Sequence, residues 1–91
     1  MKIEFDQTKD AANIVKHSVS LRFAAKVLAD TDCLVVLDTR FDYAEERLIA
    51  YGRAEQRVWV CVFTRRGEAY RIISLRKANE RETQRYKNAP R

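Results

Sequence analysis

The stretch Arg57 to Thr64 constrains this chain more than any other. It reads Arg-Val-Trp-Val-Cys-Val-Phe-Thr. Side chains alternate along a strand, so Val58, Val60 and Val62 project to one side and Trp59, Cys61 and Phe63 to the other. Both sides are apolar, and such a strand belongs in the interior of a sheet covered on both faces. Its six-residue apolar core, Val58 to Phe63, is also the longest in the chain. A membrane span needs about 20 apolar residues and a signal peptide about 7–15, so neither is expected. The expectation is a cytoplasmic protein.

The rest of the chain supplies the cover. Lys2 to Phe5 alternates and reads as a short edge strand. Asp6 or Thr8 can cap a helix that runs to His17 with Ala11, Ala12, Ile14 and Val15 at helical spacing. Ser18 stands where that helix ends. Ser20 can cap a second helix, striped by Leu21, Ala24, Val27 and Leu28. The period then changes to two. Cys33 to Leu37 reads as a buried strand, Asp38 to Tyr43 as a polar loop, and Arg47 to Tyr51 as a strand ended by Gly52. Arg65 to Glu68 forms a four-residue hairpin connection to a strand over Tyr70 to Arg76. Asn79 and Glu82 have capping-box spacing before a helix over Glu80 to Lys87. This order predicts one α+β domain, 1–91, with an antiparallel sheet, two N-terminal helices and one C-terminal helix. Trp59, Phe63 and Phe23 read as core. Two cysteines are too few for a disulfide scaffold, and Cys33 and Cys61 read as small apolar packing.

Charge is divided along the chain. Residues 1–64 carry nine Lys/Arg and ten Asp/Glu, net −1, whereas residues 65–91 carry nine and three, net +6. Concentrated positive charge attracts phosphate polymers through counterion release, although a Lys/Arg-rich helix also serves solubility.

Five sequence blocks resemble the BrnT toxins. The first is Phe5-Asp6-x-x-Lys9-x-x-x-Asn13-x-x-Lys16-His17. Glu45-Glu46-Arg47 and Gly52-Arg53 flank a strand, and Val60-x-Val62-Phe63-Thr64 leads into a hairpin. Arg71-Ile72-Ile73-Ser74-x-Arg76-Lys77-Ala78 precedes a helix with Glu82 and Tyr86. The resemblance spans residue 3 to about 87. It implies a RelE-like fold and a ribonuclease toxin of a bacterial type II toxin–antitoxin pair that inhibits translation. It also implies a BrnA-like ribbon-helix-helix antitoxin that blocks the toxin, with operator DNA bound only through the antitoxin. Ser18 and Leu75 depart from the family pattern, which has Gly and Ala there.

Metal-independent RNA cleavage needs a base, an acid and cations for the transition-state phosphate. One histidine excludes a two-histidine mechanism, and one His with two distant Cys lacks zinc-ligand spacing, so neither metal nor cofactor is expected. His17 is a candidate acid or base, or a helix-end histidine bonded to free carbonyls. Glu46, beside Glu45, is a candidate base next to Arg47, or part of an exposed ion pair. Arg47 and Arg53 bracket one strand and share a face, which suits phosphate contacts or plain solvation. Arg76 is the candidate phosphate-gripping cation, on the face of Tyr70, Ile72 and Ser74. Its structural alternative is a salt bridge to Glu80 or Glu82. Lys16, Lys77, Arg65, Arg66 and Arg85 are candidate RNA contacts, with Tyr86 as a base-stacking aromatic or as packing against the sheet. A non-catalytic RNA-binding or co-repressor module accounts for the charge equally well.

Overall fold

The computed structural model describes residues 1–91. At its centre is β4 (Arg57–Arg66), third of five strands ordered β1-β5-β4-β3-β2. Residues Val58 to Thr64 are all buried, as a strand apolar on both sides requires. One face lies under α1 (Gln7–His17), a 3-10 turn (Leu21–Phe23) and α2 (Ala24–Leu28). Leu21, Ala24 and Val27 from these helices meet Trp59, Cys61 and Phe63 in the larger core. The opposite face takes α3 (Glu80–Asn88), whose Tyr86 packs with Tyr51, Val58, Val60 and Ala78. Asn79 caps α3 through both halves of the capping box.

The sheet is mixed, which corrects the antiparallel expectation. β2 (Leu34–Leu37), β3 (Leu48–Ala54), β4 and β5 (Ala69–Lys77) form an antiparallel meander, but β1 (Lys2–Glu4) runs parallel to β5, Ile3 opposite Tyr70. Between β1 and β2 the helices carry the chain to the other edge of the sheet. No hairpin joins β1 to β5, so nothing forces an antiparallel pairing.

Four local features also depart from the sequence reading. β2 is an edge strand that exposes Val35 and Leu37; an all-apolar run has no period to separate edge from interior. Gly52 lies inside β3 and does not end it. A Cβ there would stand 2.4 Å from the Val27 carbonyl oxygen, so this glycine lets α2 approach the sheet. The β4–β5 turn is only Gly67-Glu68, with Arg65 and Arg66 in the ladder opposite Tyr70 and Ala69.

The fourth is a bulge in β5. Phe63 pairs with Ile72 and Val62 with Ser74, which leaves Ile73 as the extra residue. The bulge inverts the alternation. Tyr70 and Ile72 face the larger core, while Ser74 and Arg76 face the α3 side beside Val62 and Val60. Arg76 therefore does not share a face with Tyr70 and Ile72, and the period-two expectation fails at this point.

The aromatic and cysteine readings hold. Trp59 is buried against Phe23, ring centroids 4.8 Å apart, and its Nε1 donates to the Ala54 carbonyl at 3.0 Å. Both thiols are free, and burial raises Cys33 to about 11 and Cys61 to about 12, so neither is a thiolate near neutral pH.

Candidate functional site

α3 covers only part of its side of the sheet. Beside it lies a cleft of about 180 Å³, lined by Arg40, Ile49, Tyr51, Val60, Val62, Ser74, Arg76 and Glu82. That is room for about six waters. Three local features build it: the β5 bulge delivers Ser74 and Arg76, the capping box fixes Glu82, and the loop after β2 brings in Arg40.

Arg76 is paired end-on. Its Nη1 and Nη2 each donate to one oxygen of Glu82 at 2.8 Å, and Nη1 also donates to the Lys77 carbonyl at 3.3 Å. The Glu82 carboxylate accepts the Asn79 backbone N–H at 2.9 Å as well, so the first turn of α3 is tied to β5. The Arg76 guanidinium holds the Glu82 carboxyl below its ordinary value, and the same hydrogen bonds raise Arg76.

Arg40 is paired side-on. Nε and Nη2 donate to the two oxygens of Asp38 at 2.8 Å each. The Arg40 backbone N–H (3.2 Å) and the Tyr43 hydroxyl (3.1 Å) complete four bonds to that carboxylate. The Asp38 side chain is 0% exposed and that of Arg40 is 58% exposed. The guanidinium holds the Asp38 carboxyl well below the usual carboxylate range. Next along the loop, Arg47 lies over the Tyr43 ring at 4.1 Å, and its buried Nε has no hydrogen-bond partner.

The sequence-predicted residues fall into separate groups. His17 is half-buried at the end of α1; burial first, then the charges of Lys16 and Arg76, lower its pKa below the ordinary imidazole value. His17 does not line the cleft that holds Arg76. Glu46 and Arg47 sit at the far end of β3, where the Glu46 carbonyl accepts the Thr64 hydroxyl at 2.8 Å. Arg53 is exposed on β3 and lies over the Tyr86 ring at 5.7 Å. Arg65 lies over Tyr70 at 4.2 Å, and Arg66 approaches Glu45 at 3.5 Å. Arg85 lies over Tyr51 at 5.3 Å, while Lys16 and Lys77 are exposed. Tyr86 is buried with its hydroxyl on Asp30, so its ring packs in the smaller core and is closed to a nucleobase.

A family model described as the ribonuclease toxin BrnT of type II toxin–antitoxin systems matches residues 5–82. The chain belongs to the BrnT family. The matched span runs from Phe5 to Glu82 and so contains every residue that lines the cleft. BrnT membership implies a protein antitoxin as partner and RNA as target. No curated protein matches the chain. In this BrnT chain no three His, Cys, Asp or Glu side chains cluster as metal ligands, and no helix is long and apolar enough to cross a membrane.

Sequence reasoning missed Asp38, Arg40 and Tyr43, which read only as a polar loop. The Asp-x-Arg spacing was the one available signal, and it is too common to stand alone. Glu82 was legible as a capping residue and as a partner of Arg76.

Proposed function

We propose that this BrnT chain is a metal-independent endoribonuclease whose RNA enters the cleft beside α3. The carrying observation is that two guanidiniums, Arg40 and Arg76, line one cleft in a member of a ribonuclease toxin family, with the sole histidine at the end of the helix that covers the other face of the sheet. A neutral imidazole can take the proton of a 2′-hydroxyl, and Arg76 can stabilise charge on the attacked phosphate. Protonated His17 can serve the leaving oxygen in return. Glu46 and Arg47 are the second candidate base and cation. Lys16, Arg53, Arg65, Arg66, Lys77 and Arg85 steer the strand, each as a screened surface charge.

The same reading makes the chain one RelE-related toxin domain that acts on translation in the cytoplasm. A BrnA-like ribbon-helix-helix antitoxin neutralises it, and operator DNA is contacted only through that antitoxin. A second reading, a non-catalytic RNA-binding or co-repressor module, is favoured by one observation. The end of the Arg76 guanidinium is already closed by Glu82.

The test is incubation of the purified chain with a defined RNA in EDTA, with and without ribosomes, beside His17→Ala and Arg76→Ala. The expected result is cleavage by wild type that both variants lose. Intact RNA in every arm, or cleavage unchanged in both variants, overturns the proposal.

A further inference from the structure

We infer that Arg40, held from behind by buried Asp38, is the phosphodiester-binding residue of the cleft, with Arg76 as the second cation of the pair. This rests on the RNA-directed reading above. A guanidinium carries five N–H donors. Arg76 spends three, two on Glu82 and one on the Lys77 carbonyl. Arg40 spends two, both along its Nε edge, and its Nη1/Nη2 end has no protein partner. That end is the fork that takes two oxygens of one phosphate.

The support behind Arg40 is unusual for an exposed side chain. Asp38 accepts four hydrogen bonds, as many as a carboxylate has lone-pair sites, and none of its side chain reaches water. A long side chain normally loses rotamer freedom when it grips a ligand. Here Asp38, oriented by Tyr43, has fixed Arg40 already. Burying a carboxylate in a surface loop costs free energy unless it is fully bonded. What this arrangement provides is a guanidinium locked at the rim of the cleft.

Arg40 and Arg76 line the same cleft. Each is already paired with a carboxylate, so a phosphodiester is held there by the donors left free, chiefly the open fork of Arg40. Ser74 and Tyr51 add side-chain hydroxyls to the same wall. The chemistry selects a phosphodiester of an RNA strand, in line with the RNA-directed reading of the family.

The probe is a short, mixed-sequence 2′-O-methyl oligoribonucleotide, which lacks the attacking hydroxyl and binds without being cut. Its affinity for the full chain is read by fluorescence anisotropy across a salt series. In the double variant Asp38→Asn/Arg40→Gln a neutral pair replaces the ion pair, so no charge is orphaned. The expected result is an affinity loss of about tenfold and a salt slope shallower by roughly 0.7, the value of one single-strand phosphate contact. Arg40→Lys keeps the charge without the fork and should fall between, with the slope unchanged. Lys87→Gln, an exposed control on α3, should lower affinity by less than the double variant. Thermal melts report folding of each variant. Wild-type affinity and slope in folded double and Lys variants overturn the inference; if cleavage of unmodified RNA persists, the ribonuclease reading survives. Arg40-dependent binding with no cleavage, even with ribosomes, upholds the site and overturns the ribonuclease reading. A wild-type chain that neither binds nor cuts overturns both.

Discussion

Asn13 shows how one side chain can replace a strand. β1 pairs only with Ala69 to Arg71, so the outer edge of β5 has no strand partner farther along. There the Asn13 side chain donates to the Leu75 carbonyl at 2.8 Å and accepts the Leu75 N–H at 3.2 Å. Its amide also donates to the Val19 carbonyl at 2.9 Å. Asn13→Leu leaves these buried groups unpaired and should cost about 2–4 kcal/mol, read as a lower urea midpoint with unchanged slope. An unchanged midpoint would mean that water replaces the amide. His17 carries the second prediction at this scale. As the only imidazole it titrates alone in proton NMR, with a midpoint below the ordinary value of 6.5. The folded chain then binds fewer protons than the unfolded one, so the His17 contribution is complete above pH 6.5 and is lost as pH falls through the folded midpoint. Lys16→Gln removes one of the charges responsible and should raise the midpoint. Both residues were legible as polar groups on a helix. The partner of Asn13 was not, because 62 residues separate it from Leu75.

At the scale of elements, the sequence located helices and strands where pattern and chemistry agreed. Asp6 accepts from the Thr8 and Lys9 backbones as a capping residue should, and β4 is buried on both sides. What it could not locate were turns without turn residues. β3 and β4 are joined by Glu55 and Gln56, both in the left-handed region at φ 50 and 67, where Asn-Gly is the usual solution. The end of α1 at Ser18 was legible, but not its left-handed backbone at φ 60, where glycine is the usual residue. Gln56→Gly and Ser18→Gly should each stabilise the chain by about 0.5–1 kcal/mol, part of the relief from strain being lost to a freer unfolded state. Thermal melts of the single and double variants check this; the sites share no partner, so the gains should add. The β5 bulge was equally silent in sequence. Ile72 and Ile73 are adjacent and apolar, and nothing in their order marks which one the ladder skips. That single insertion decides which face receives Arg76, so the location of the candidate site depended on the one feature that periodicity cannot express.

Over the whole molecule the linear charge map breaks up. The net +6 of residues 65–91 does not form one patch, because Arg65 lies over Tyr70 beside the larger core while Arg85 lies over Tyr51 on the other side of the sheet. Closure of the fold has the same long-range character, since β1 meets β5 across nearly the whole chain, Lys2 opposite Ala69. Ile3 and Phe5 pack against the larger core, and Glu4 pairs with Arg71 at 3.1 Å. Removing residues 1–5 deletes two half-buried apolar side chains, worth about 2–4 kcal/mol together. Against a total of about 5–15 kcal/mol the remainder should still fold, at a clearly lower urea midpoint. Kinetics then separate cause from consequence. A contact this distant in sequence gains its stabilisation only after the meander and the α1–β5 contact have shortened the loop, so it should form after the transition state. The truncated chain should accordingly unfold faster while its refolding rate stays near that of the full chain. Stopped-flow refolding slowed as much as unfolding is accelerated would place β1 in the nucleus instead. The uncovered Ala69 to Arg71 edge adds a further consequence: light scattering of the truncated chain should rise with concentration, because an unpaired strand edge recruits another.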